Sequence, residues 1–565
     1  MANPISIRRT YAGRHVLLTG ASGFLGKVWL VMMLDLVPEI GRVYVILRKK
    51  ALQPARERFE KIVASSPAFA PLHDRYGADL GRFLVERVEL VDGDLAEPDL
   101  GLDPAVARQL ERDVDLVIHC AGLVDFDPDI RDALTTNVDG TEHIANFVER
   151  SDHAALLHIS TCYVSGTRNG EIPEQLIPDY APDGHPFDTE LERRDARASI
   201  ERILADHEGD EKETELHKQA LQQIRDRGLN PNNSMLLRNI TRRLKRQSIK
   251  NAMIEEGQRR AYKRGWPNIY TYSKSMAESL LIARKDRIPR MSILRPAIVE
   301  SSMSYPFPGW NQGFNTSGPL SYVLGTWFRH LPARNNNPFD VIPVDYVARA
   351  ITIAGAALLE GCAAPVYQCG TSDINRLTVE RACELTALAH RRHLRDRGST
   401  PIERVLLSRW DAVASDPEHL LSTENISSVA DGFAKLMRGL PKRWPTGLHR
   451  GAERWAKKAD SVRDKLNTID RMLTLYLPFI YENHFVFHSK ALREHEIEEP
   501  EFVVDTTDID WRVYWIGIHM PGLRKWCYPL FEGKTPEKYV PKIPFSLPQQ
   551  PAQAPSGAGL RGEAR

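Results

Sequence analysis

The chain has 565 residues, of which 42% are hydrophobic and 26% charged, so it has the make-up of a globular enzyme and is too long for one ordinary domain. Its formal net charge of +1 excludes a general nucleic-acid binder, which needs a strongly basic face for phosphates. Cys120, Cys162, Cys362, Cys369, Cys383 and Cys527 lack the paired spacings of a zinc site or a secreted disulfide framework, and a reducing cytoplasm is expected.

Residues 14–48 read as strand, glycine turn, helix and strand: HVLLTG is apolar, ASGFLG turns, KVWLVMMLDLV is helical in period, and VYVILR is β-rich. Buried-strand runs follow at VELVDGD, DLVIHCAG, ALLHIST and MSILRPAIV, interleaved with helical stretches. That alternation predicts an α/β fold, a Rossmann-type doubly wound parallel sheet, over residues 1–372. A charged, helix-favouring segment at 189–264 interrupts it and reads as a solvated helical hairpin, with a lid over the substrate site as the sharper alternative. From 373 to 540 helical runs dominate, so a smaller, mainly α domain is expected there, and the Pro-, Gly- and Gln-rich tail 541–565 is expected to be disordered. The start MANPISIRRTYAGRHVLLTG does not read as a charged-then-apolar signal peptide, so none is expected, and no run reaches the roughly 18–20 apolar residues of a membrane span. The nearest run, 472–480, is short and contains Pro478, so any membrane contact is expected to be peripheral.

The run Thr19-Gly20-Ala21-Ser22-Gly23-Phe24-Leu25-Gly26 lies between a strand and a helix, the setting of a dinucleotide-binding turn. Gly20 allows the tight turn, Gly23 lets backbone approach a pyrophosphate, and Gly26 allows close helix–strand packing, with the phosphates at the helix N-terminus. After the second strand, where NAD enzymes carry a carboxylate for the ribose hydroxyl, stand Arg48, Lys49 and Lys50. Cations there favour a 2′-phosphate, so the expected cofactor is NADPH.

Tyr270 and Lys274 are four apart on a helical run, so phenol and ammonium share a face, and the charge is expected to lower the phenol's pKa. Tyr270 can then give a proton to an oxygen that gains charge as hydride arrives. Tyr272 lacks this spacing. Thr161, with Ser160 as alternate, ends the HIST strand and is placed on the substrate carbonyl, while a covalent role for Cys162 is rejected because the tyrosine, lysine and nicotinamide already account for the chemistry.

With TGASGFLG, HISTCYV, YTYSKSMAE and ILRPAIV in that order, the chain resembles the fatty acyl-CoA reductases, the male-sterility type of extended short-chain dehydrogenases. IPVDYVARA, VYQCGTSDINRLT and the C-terminal FVVDTTDIDWRVYWIGIHMPGLRKW extend the likeness over most of its length. The resemblance implies that Thr19, Gly20, Ser22, Gly23, Phe24, Leu25, Gly26 and Arg48 bind NADPH, that Asp94 and Leu95 lie by the adenine, and that Ala121, Gly122 and Asn137 lie by the ribose and nicotinamide. It also implies that Thr161, Tyr270 and Lys274 do the chemistry on a fatty acyl-CoA, giving a fatty alcohol through the aldehyde. A reductase of carrier-protein thioesters, an aldehyde-releasing enzyme, a nucleotide-sugar epimerase and a non-catalytic NADPH sensor are the alternatives. The 189–264 insertion matches no motif of the family. A basic, aromatic stretch at 435–465, with Trp444 and Trp455, is a candidate for coenzyme A phosphates, for an anionic membrane surface, or for a solvated helix face.

Overall fold

Strands buried on both faces need apolar side chains throughout, and the runs VLLT, VYVIL, LVIH and ALLHI supply them. In the computed structural model these form β1 (Val16–Thr19), β2 (Val43–Leu47), β4 (Leu116–His119) and β5 (Ala155–Ile159). With β3 (Val88–Asp92), β6 (Met291–Pro296) and β7 (Val366–Cys369) they build one seven-stranded sheet. Its order is β7-β6-β5-β4-β1-β2-β3 and every pairing is parallel. The order reverses between β1 and β4, the topological switch point where doubly wound sheets open a crevice at the C-terminal strand ends. The structure describes residues 4–48, 53–313, 317–326, 329–397, 400–401, 404, 411–415 and 473–548.

The charged insertion forms three helices, Thr189–Glu208, Asp210–Asp226 and Ser234–Lys263, not a hairpin of two. Gly209 breaks the first from the second with extended backbone, a stop that a uniformly charged composition hides. The insertion packs on the back of the helix Ile269–Ile282: Arg260 reaches Glu192 at 2.8 Å, the Tyr272 phenol donates to the same carboxylate at 2.8 Å, and Arg193 pairs with Asp139 at 2.7 Å.

The boundary expected at residue 373 does not divide the protein into separate cores. Phe485–Phe487 pairs with Gly170–Ile172 and Val413–Ser415 with His330–Pro332, while Glu499 accepts from Ser6 Oγ and the Ile7 amide at 2.8 Å each. One hydrophobic core consequently runs from Ile5 through the sheet to Cys527. The first residues of the tail also pack: Phe545 lies edge-on to His73 at 5.6 Å, and Leu547 N donates to Glu60 at 3.3 Å, because two apolar side chains among the prolines find a groove on the helices near residues 55–87. Residues 549–565 lie outside the described ones.

Candidate active site

At the switch point the chain turns sharply out of β1. Gly20 has φ +80°, and a Cβ there would sit 2.7 Å from the Ala121 amide nitrogen. A Cβ on Gly26 would sit 2.5 Å from the Gly20 carbonyl oxygen, so helix and turn can be this close only with hydrogen at that place. The helix Phe24–Leu36 starts at Gly23 with no side-chain cap, which leaves its first amides for an anion. These features fit the pyrophosphate of a nicotinamide dinucleotide.

Gly20, Gly23, Phe24, Leu25, Gly26, Ala121 and Gly122 line one cavity of about 800 Å³ together with Ser160, Thr161, Tyr270 and Lys274. Segments far apart in the chain are thus brought to one opening. The other expected contacts lie elsewhere. Thr19 is fully buried: its hydroxyl accepts from Ala121 N at 3.1 Å and meets His119 Nδ1 at 2.9 Å. Ser22 is half-buried outside the cavity lining. Asn137, in a π-helical turn, clamps the loop after β4, taking Leu123 N at 2.8 Å and giving to Leu123 O at 3.1 Å and Ser273 Oγ at 2.9 Å. Arg48 follows β2 with its side chain 67% exposed and 3.9 Å from Asp94. Leu95 O lies 2.8 Å from His143 Nδ1. Lys49 and Lys50, like the basic stretch 435–465, lie outside the described residues.

The helix Ile269–Ile282 is started by Asn268, whose side chain accepts from Thr271 N at 2.9 Å, and this sets Tyr270 in the first turn at the cavity. Burial pushes the Tyr270 phenol up to about 12, and its hydrogen bond with Thr161 pulls the other way. The phenol is therefore protonated at neutral pH, as a donor must be. Lys274, 4% exposed, does not turn toward the phenol as the spacing suggested: its ammonium donates to Ile159 O at 2.6 Å and lies 3.3 Å from His158 Nε2. The strand carbonyl is a nearer acceptor than a neighbour on the same helix, and burial lowers the lysine to about 8. Cys162 is buried, holds Arg295 O at 2.9 Å, and has its thiol pushed well up by desolvation, so it is no thiolate nucleophile.

Several site residues were missed. Tyr163 and Phe126 line the cavity, and so do Leu475, Tyr476 and Phe479 from the far end of the chain. Phe126 stacks on Phe479 at 5.5 Å and lies 5.7 Å from Tyr476, and Tyr163 meets Phe479 edge-on at 5.0 Å. The short apolar run at 472–480 was the available signal, and its Leu475, Tyr476 and Phe479 form a wall of this cavity. No lining residue comes from 189–264, which leaves the lid reading without support. Lys27, 5% exposed and lowered to about 8 by burial, donates to the lining residue Gln312 at 2.8 Å.

The male sterility protein family profile matches residues 18–351. The probable fatty acyl-CoA reductase 5 of Arabidopsis thaliana is 28% identical over 529 residues, 90% of this chain and 96% of that protein. The alcohol-forming fatty acyl-CoA reductase of Simmondsia chinensis is 26% identical over 537 residues, 92% of this chain and 98% of that one. Among solved structures, the terminal R domain of the myxalamid PKS-NRPS pathway aligns with a TM-score of 0.50 at 16% identity, over 95% of this chain and 94% of that one, a likeness of fold. Among the described residues no helix is long and apolar enough to cross a membrane.

Gly26→Ala tests the turn. The added methyl collides with the Gly20 carbonyl, so dinucleotide affinity measured by calorimetry should fall at least about tenfold, roughly 1.4 kcal/mol, in a protein that keeps its circular dichroism. Unchanged affinity would contradict the assignment of the turn.

Proposed function

The chain belongs to the male sterility protein family of extended short-chain dehydrogenases, and on that premise we propose that it reduces long-chain fatty acyl-CoA with NADPH to the fatty alcohol by way of the aldehyde. The observation that carries the reading is the convergence of Thr161, Tyr270 and Lys274 with the glycine turn on one cavity that also has an apolar, aromatic wall. A polar pair suits a carbonyl oxygen, and the aromatic wall suits the start of an acyl chain.

A bound NADPH supplies hydride to the thioester carbonyl carbon. The Thr161 hydroxyl and the Tyr270 phenol then hold the oxygen as it becomes negative, in a site where Phe126, Tyr163 and Phe479 keep water away. Collapse of the tetrahedral species breaks the carbon–sulfur bond, expels coenzyme A and leaves the aldehyde. Reduction of the aldehyde would need NADP⁺ to be exchanged for a second NADPH; charge would then build on the same oxygen, and Tyr270, protonated because burial holds its pKa near 12, gives the proton that makes the alcohol. The Lys274 ammonium offers its remaining N–H to the cavity it lines. The acyl chain follows Tyr476 and Phe479, and each buried methylene contributes about 0.8 kcal/mol to its retention.

Arg48 is the proposed reader of the 2′-phosphate, its exposed guanidinium being held only loosely by Asp94. Arg48→Glu should weaken NADPH by about tenfold or more while leaving NADH nearly unchanged, since a charge-assisted hydrogen bond of roughly 1.5–3 kcal/mol becomes a repulsion. Equal losses for both cofactors would move the reader elsewhere. For the activity itself, purified protein given NADPH and acyl-CoA of graded length should oxidise NADPH and release thiol with long-chain substrates. Tyr270→Phe should bind NADPH normally and turn over roughly 10²–10⁴-fold more slowly. No oxidation by the wild-type protein with any thioester contradicts the proposed function.

A further inference from the structure

Parallel strands covered on both faces are built of Val, Ile and Leu, and a histidine inside one requires a reason. Here Thr19 of β1, His119 of β4 and His158 of β5 stand in one registered row across three adjacent strands at the edge beneath the cavity. All three are at most 1% exposed, and the two imidazole centroids are 5.2 Å apart.

The hydrogen-bond network fixes both tautomers. Thr141 spends its hydroxyl proton on Asn137 O at 2.7 Å, so at 3.2 Å it accepts from His119 Nε2–H. His119 Nδ1 is then a lone pair that takes the Thr19 hydroxyl proton at 2.9 Å, and the ring is neutral, in keeping with burial that lowers it to about 3. Beside it His158 is also held neutral, by burial and by the Lys274 charge. Its Nε2, 3.3 Å from the lysine nitrogen, is an acceptor, which leaves the proton on Nδ1, a buried atom with no partner among the described residues. An unsatisfied N–H in the core costs stability and is retained here where the opposite nitrogen faces an ammonium.

We propose that His158, held neutral and in register by His119, is a positioning residue for Lys274: its Nε2 lone pair and the Ile159 carbonyl fix two of the three ammonium protons, keep the lysine charged inside the core, and leave the third proton for the cavity. The idea rests on the proposed reductase reading only for its kinetic test. The other groups facing Lys274 are few. Glu278, one turn on along the same helix, is bound by Arg295 of β6 through Nε at 3.0 and 3.2 Å and supplies a shared rather than a dedicated charge. Cys120, after β4, is a thiol with its pKa raised to about 12, and Tyr270 is a protonated phenol. His158 is the neutral side-chain acceptor left to the ammonium.

With the lysine near 8, the ammonium is complete below that pH and is lost as pH rises through it, so activity that needs it falls on the alkaline side. Removing the acceptor destabilises the charged form and moves that limb to lower pH. In His158→Phe the alkaline limb of kcat should move down by about one pH unit, the loss expected of one hydrogen bond to a charged group, with KM for acyl-CoA unchanged. His158→Gln, which keeps an acceptor, should restore the limb. The same shift should appear without any turnover in the lysine side-chain NMR titration, with the Lys274 signal assigned by Lys274→Met. Should His158→Phe fail to fold, His158→Leu takes its place. An NMR pKa for Lys274 that is unmoved in a folded His158→Phe or His158→Leu, or a His158→Gln protein as shifted as these, would overturn the proposal. An inactive wild-type protein with the NMR shift present would instead sink the reductase reading and leave this one standing.

Discussion

An ammonium taken wholly out of water must be surrounded by acceptors or give up its proton, and Lys274 is in that position at the centre of the sheet's C-terminal edge. Its acceptors come from β5, a backbone oxygen at 2.6 Å and an imidazole at 3.3 Å, and β5 is held in register by β4 and β6. The helix Ile269–Ile282 is therefore fixed to the sheet by charge as well as by packing. Tyr270, one turn before the lysine, inherits that placement, and so does its hydrogen bond with Thr161 at the end of β5.

Burial then does opposite things to two groups at one site. Desolvation lowers the lysine and raises the phenol, so at neutral pH the first stays close to losing its proton and the second stays firmly protonated. A phenol that keeps its proton until an oxyanion forms beside it is suited to protonating a product and not to abstracting a proton from substrate.

The features legible in the sequence are those written locally. The glycine turn, the strand runs, Tyr270 with Lys274, and Thr161 at a strand end each occupy a few consecutive residues, and periodicity or spacing exposes them. What was hidden depends on contacts between distant segments: Phe126, Tyr163 and Phe479 share a wall although more than 300 residues separate the first two from the last, and the three-residue pairing of 485–487 with 170–172 is too short to alternate. Spacing gave Tyr270 and Lys274 a common face but could not show that the lysine would turn to a strand carbonyl. The two histidines were in plain view inside DLVIHC and ALLHIS, polar breaks in apolar runs, and only the strand register shows that they are neighbours. The pairings that join residues 5–7 to 497–499 likewise explain why a boundary drawn from composition at 373 does not mark the edge of a core.

We propose that one oxygen-binding pair serves a thioester and then an aldehyde within one cavity, the apolar wall retaining the chain between the two steps. The stoichiometry of NADPH oxidised to thiol released, measured with a long-chain acyl-CoA in the presence of a hydrazine aldehyde trap, tests it most directly. The expected ratio is near two, with alcohol extracted as the product and little hydrazone. A ratio near one with aldehyde captured quantitatively would contradict it.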